Sequence, residues 1–254
     1  MKPLSFLLIL AACNNTAQVT TNSKEVASAE NEKEVPSSTT GSKDCTSFYW
    51  FKKGAVAVFN EYDKNGKKFA STTTTVTDVR SEGKATIAEF TSTSGESSKD
   101  FKGKYKCEGD KVMMDIGSMF KDNEMSKGGM TMEMSNTGWL VFPLNMKTGD
   151  NLEETPFEMK GMRNGKTVMT MTSTVNSRKV DAKEKVTTPA GSWDAFKITE
   201  VRTMEISMQG MDKKIAGPAT SYVYWFVPGF GVVKTELKEA SGKLMHRSEL
   251  ASIK

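Results

Sequence analysis

Turn-forming residues punctuate this sequence at short intervals, and that punctuation constrains the fold more than any other feature. Asn65-Gly66 and Asn164-Gly165 each stand between runs rich in Thr, Val and Met. Glu82-Gly83, Gly109-Asp110, Pro189-Ala190-Gly191 and Ser241-Gly242 fall in similar settings. Asn-Gly between extended runs predicts a hairpin, because both residues accept the positive φ that the tightest turns impose. The intervening runs, such as Ala55–Phe59 and Ser71–Thr77, alternate and favour the residue types that suit a pleated, half-buried surface. Helical periodicity is scarce, and only Met114–Met125 reads as a short helix. The expected fold class is all-β, an antiparallel meander with at most one or two short helices.

The patterned region begins abruptly at CTSFYWF, residues 45–51, so a single β-rich domain is expected over 44–254. The preceding residues 14–43 contain no aromatic residue and no Leu, Ile or Met. Such a segment cannot bury enough apolar surface to offset chain entropy, and it is expected to be a disordered tether. As a flexible coil it would reach about 30 Å. Before it, Lys2, the apolar run Leu4–Leu10 and the small pair Ala11-Ala12 form a secretory signal over 1–12, too short to span a bilayer. Leu10-Ala11-Ala12-Cys13 resembles the bacterial lipobox, whose cysteine is lipidated and becomes the first mature residue. Cys13 is therefore the expected membrane anchor. Asn14 after it, with no acidic run following, suggests an outer-membrane lipoprotein on the periplasmic face, by analogy with Gram-negative sorting. Lipidation of Cys13 leaves Cys45 and Cys107, an even pair in an oxidising compartment, and a Cys45–Cys107 disulfide is expected.

Chemistry-bearing motifs are sparse. The net charge of +4 is mild and spread along the chain, which argues against nucleic acid as a partner. There is no GxSxG elbow, Walker loop, HExxH or GxGxxG, and His246 is the single histidine. Nucleophilic catalysis and zinc chemistry both usually draw on histidine. No catalytic residue, metal site or cofactor is assigned, and the sequence points to a non-enzymatic protein.

Methionine is conspicuous. Of seventeen, Met130, Met132 and Met134 fall at strand spacing, as do Met169 and Met171, and Met204 is followed by Met208 and Met211. Period two places side chains on one face of a strand. Three roles fit: core filling, a pliable wall around an apolar ligand, and soft-metal binding by thioethers. Against copper, no histidine lies among them. The run YVYWFVPGFGVV at 222–233 is apolar on both faces, as expected of a strand with one side on the core and the other on a pocket. The candidate ligand-lining residues are Met130, Met132, Met134, Met169, Met171, Trp225 and Phe230.

The order GWLVFPLNMKTGDNL, VTTPAGSWDAFKITE, YVYWFVPGFGVVKTEL resembles the TapB-like family of exported Bacteroidota proteins, which are often lipoproteins of unknown function. The anchors are Pro143, Gly149, Asp150, Pro189, Ala190, Gly191, Trp225, Pro228, Gly229, Gly231 and Lys234. The resemblance implies a curved sheet or incomplete barrel and brings no catalytic residues with it. Two functions are then open: a binding module for an apolar ligand or hydrophobic protein segment, and an envelope scaffold without a small ligand.

Overall fold

The computed structural model describes residues 47–95, 100–116, 130–134, 138–211 and 213–254. They form one antiparallel sheet of fourteen strands: β1 (Val56–Asp63), β2 (Lys68–Glu82), β3 (Ala85–Ser94), β4 (Phe101–Glu108), β5 (Lys111–Asp115), β6 (Thr131–Met134), β7 (Trp139–Pro143), β8 (Phe157–Arg163), β9 (Lys166–Thr188), β10 (Gly191–Met208), β11 (Ile215–Ala216), β12 (Thr220–Val227), β13 (Gly231–Glu239) and β14 (Leu244–Ile253). Helical structure among the described residues is confined to 3₁₀ conformation at Ser47 and at Tyr49–Phe51. Met114 lies in β5 rather than in a helix, and most of the expected helical stretch falls outside the described residues.

Every sequence-marked turn joins two strands. Asn164-Gly165 is the two-residue hairpin expected, with φ of 51° and 72°. Asn65-Gly66 differs, because four residues link β1 to β2 there and only Gly66 has positive φ. The Asp63 carboxylate accepts the backbone N–H groups of Asn65 and Lys67, holding the wider turn. A side-chain acceptor before Asn-Gly thus changes the loop length.

The strand order is β6-β8-β9-β10-β12-β13-β14-β1-β2-β3-β4-β5-β7, with β11 beside β10. Two meanders are joined where C-terminal β14 pairs with N-terminal β1. The departure from a simple meander is the crossing of β6 and β7, consecutive in sequence yet at opposite ends of the sheet. Four residues separate Met134 from Trp139, so these ends lie within about 17 Å. The sheet therefore curls almost back on itself, and no ladder joins β6 to β7 among the described residues. It is a strongly curved, unclosed sheet.

One end of the concave face is filled. Phe48, Trp50 and Phe51 are buried and sit beneath the sheet as a plug. The backbone N–H of Tyr49 donates to the Gly229 carbonyl at 2.8 Å. Its hydroxyl lies 2.7 Å from the Val56 carbonyl and 2.8 Å from that of Lys254, with one proton to share between them. Trp50 stacks on Tyr105, Phe230 packs on Tyr49 and Trp193, and Phe226 stacks on Phe142 at 4.8 Å. Gly103 makes room within this layer, because a Cβ there would lie 2.3 Å from the Phe90 ring.

Candidate functional site

Away from the plug, the concave face opens. Cross-strand partners share a face, so the register identifies the inward residues, and their burial falls steadily along each strand. On β10 the inward series runs from Ile198 and Glu200, both fully buried, through Arg202 at 8% exposed, to half-buried Met204, Ile206 and Met208. On β12 it runs from Phe226 and Tyr224 to half-buried Tyr222. β13 goes from Val233 to Leu237, and β14 from Leu250 to His246. The gradient has the same direction on all four strands. The sheet thus encloses a core at one end and presents a half-covered concave surface at the other.

The wall made by β6, β8, β9 and β10 is rich in methionine. Met134 faces Met159, Met159 faces Met171, and Met171 faces Ile206. One step along, Met132 pairs with Gly161, Gly161 with Met169, and Met169 with Met208. Met130 lies over Gly161, with its sulfur 2.8 Å from where a Cβ would stand. All five methionines singled out from the sequence therefore gather on one inner wall, joined by Met159, Met204 and Met208. Met159, Met169 and Met171 are buried, whereas Met130, Met132, Met134 and Met204 are half-buried. One stripe contains both core and lining positions.

The two aromatic candidates are elsewhere. Trp225 lies on the opposite face of β12, where its indole N–H donates to Glu184 at 2.7 Å and the Lys234 ammonium sits 4.8 Å over its ring. Phe230 belongs to the plug. The strand YVYWFV is covered on both sides as its composition predicts, but its outer cover is a cation and a carboxylate rather than a ligand cleft. Cys107 is fully buried on β4. Cys13 and Cys45 lie outside the described residues.

Sequence reasoning misses the charged row at the floor of the open half. Arg178 on β9 pairs across to Glu200 on β10, which pairs to Tyr222 on β12. Arg178 Nε lies 3.2 Å from Glu200 Oε2, and Arg202 Nε donates to Glu200 Oε1. Both side chains of the first pair are fully buried. The guanidinium of Arg178 also donates to the carbonyl of Val141 on edge strand β7 and to that of Glu153. Arg202 reaches the Thr155 carbonyl and the Ser173 hydroxyl. The two arginines therefore tie β9 and β10 to edge strand β7 and to the β7–β8 connection, beside the backbone bonds that Gly149, Asp150 and Leu152 make with β9. Their planes also cover aromatic rings, Arg178 at 4.8 Å from Phe142 and Arg202 at 5.6 Å from Phe157. Burial pulls Arg178 below the ordinary arginine value, with Glu200 opposing that shift. Burial likewise pushes the Tyr224 hydroxyl well up, and the Glu200 charge adds to it. A charged residue at an inward position, between Ile198 and Met204, is the sequence signal that could have found this row.

Across the open half, His246 faces inward rather than standing free on the surface. Its Nε2 lies 3.1 Å from Glu61, whose other oxygen accepts the Ser248 hydroxyl at 3.1 Å. Histidine and serine thus both bond the carboxylate and not each other. A nucleophile relay needs the imidazole next to the hydroxyl, and this order does not supply one. Among the described residues no three His, Cys, Asp or Glu side chains gather to hold a metal ion.

A family model described as DUF3108-like matches residues 52–250. No curated protein matches the sequence. Two solved structures share the fold. A candidate lipoprotein from Parabacteroides distasonis is 16% identical, with a TM-score of 0.61. A candidate exported protein with a YmcC-like fold from Bacteroides fragilis is 18% identical, with a TM-score of 0.58. Each alignment covers 82% of this chain and 98% of the other.

Proposed function

The chain belongs to the DUF3108-like family, and on that premise we propose that it is a lipid-anchored envelope protein whose concave face binds an apolar ligand. The burial gradient carries this reading. A sheet that only needed a core would be filled from end to end, yet Met204, Ile206, Tyr222 and Leu237 stand half-covered on the inner face. Ligand sites are concave and mostly apolar, with few polar groups, and flexible thioethers adapt to varied shapes. The Glu61-centred arrangement of His246 and Ser248 favours binding over catalysis.

Anchoring at Cys13, an outer-membrane location and the 13–43 tether belong to the same reading. They are supported by the lipobox-like sequence and by the lipoprotein and exported descriptions of the two structural neighbours. A place among TapB-like members within the family belongs to the same reading, on the resemblance of the Pro189-Ala190-Gly191 and Pro228-Gly229-Phe230-Gly231 segments. Cys13→Ser is expected to release the protein from membranes, read by fractionation, and unchanged membrane association would refute the anchor.

Binding is tested by fluorescence titration with the neutral apolar probe N-phenyl-1-naphthylamine. The wild-type protein is expected to bind saturably. Met204→Glu, which sets a charge in the lining, is expected to weaken binding by about tenfold or more, whereas Met211→Glu on the exposed turn leaves it unchanged. Absence of saturable binding to wild type would refute the reading.

A further inference from the structure

We propose that the ligand of the concave face carries a carboxylate, received by the Arg178–Glu200–Arg202 row. This rests on the apolar-ligand reading and adds the chemistry of the head group. The row holds two guanidinium groups against one carboxylate, all of them buried. A buried cation without a counter-charge is costly, and among the described residues no second carboxylate pairs directly with these guanidinium groups. Glu153, which offers its carbonyl to Arg178, turns its carboxylate outward to Lys111. Glu61 is engaged by His246 and Ser248. Arg178 Nη2 is buried and has no hydrogen-bond partner among the described residues, and the buried Arg178 Nε and Glu200 Oε2, though 3.2 Å apart, are not aligned for a hydrogen bond. An anion at this place would supply both the missing charge and the missing acceptor.

Position sets the size and orientation of that anion. Arg202 lies at the step where the inner face changes from buried to half-buried, with Met204, Ile206 and Met208 following it toward the open end. From Arg202 to Met208 the strand runs about 20 Å, lined by apolar side chains throughout. A head group entering first must be small, because Arg178 and Arg202 are only 2% and 8% exposed. A long-chain fatty carboxylate meets both conditions: its carboxylate against the arginines, its chain along the methionine wall. A guanidinium binds such a carboxylate by paired, charge-assisted hydrogen bonds. Tyr222 and Tyr224 on the adjacent strand, their rings stacked 6.1 Å apart, add hydroxyls beside the head group.

The test uses cis-parinaric acid and its methyl ester, which share a fluorescent chain and differ in the charge. Wild type is expected to bind the acid about tenfold or more tightly than the ester, as charge-assisted bonds imply. Arg202→Met is expected to bring the ratio of acid to ester affinity to about one, and should it fail to fold, the wild-type ratio alone decides. Equal affinity of wild type for acid and ester overturns the carboxylate proposal and leaves the apolar reading standing. Failure of both probes to bind overturns the two together.

Discussion

Replacing Glu200 with Gln is expected to lower the stability of the protein by about 3–5 kcal/mol, the cost of leaving a buried ion-pair partner uncompensated. Glu200 is fully buried between Arg178 and Arg202, so its neutralisation leaves two guanidinium groups facing one another in a low dielectric. For a domain of this size each kcal/mol moves the melting temperature by about 2–4 °C, so the loss should appear as a fall of about 6–20 °C. Urea unfolding gives the same quantity at constant temperature. Removing the whole row tells more. In Arg178→Met, Glu200→Leu, Arg202→Met the uncompensated charge disappears, and buried ionic triads exchanged for apolar ones are often neutral or stabilising. Here the exchange also strips donors from the Val141, Glu153 and Thr155 carbonyls, each costing about 1–3 kcal/mol if left buried and unpaired. The triple variant should therefore recover part of what Glu200→Gln loses, but not exceed wild type. A stability change below about 1 kcal/mol for Glu200→Gln would show that water reaches the row.

The second large effect is expected from the disulfide we propose between Cys45 and Cys107. Cys107 is fully buried on β4 beside the core. Residue 45 lies two positions before the described residues begin, just ahead of the Phe48–Phe51 plug. The bond would tie the plug to the sheet it closes. For a loop of that length the chain-entropy model gives about 4 kcal/mol, so Cys45→Ser should lower the melting temperature by about 8–16 °C. Cys45 is the better position for the substitution, because a serine at buried Cys107 would add a desolvated hydroxyl to the measured cost. Peptide mapping without reductant should recover the linked pair. Two alkylatable thiols in the exported, unfolded protein would contradict it.

Local signals carried most of the fold into the sequence, and non-local ones did not. Gly83, Gly109, Gly191 and Gly242 mark real strand junctions because a turn is decided within four residues. Met132, Met134, Met169 and Met171 reach one wall because period two survives wherever a strand is regular. The placement of β6 and β7 at opposite ends of the sheet depends on partners far away in sequence, and nothing in TMEM or WLVFP encodes it. Bulges erased more. The register of β9 against β10 shifts at Lys197/Ile198 and again at Val201/Arg202. Each shift changes which residues of β9 face inward, so the inward turn of Arg178 could not be counted from its neighbours. Trp225 stands on the outer face of β12 for a different reason. An aromatic residue is equally at home in an apolar cleft or beneath a lysine ammonium, and Lys234 lies directly across the strand pair.

The central claim is that the concave face, and no other surface, receives an apolar ligand. It is tested most directly by a methionine oxidation footprint with peroxide, read peptide by peptide, with and without N-phenyl-1-naphthylamine. Without probe, Met211 at 50% exposed should oxidise first. The half-buried Met132, Met134, Met204 and Met208 should follow, and buried Met159 and Met171 should oxidise last, because sulfoxide formation tracks access. With probe bound, the account predicts protection of Met132, Met134, Met204 and Met208 while Met211 continues at its original rate. Saturating probe that leaves the rates at Met204 and Met208 unchanged would contradict it.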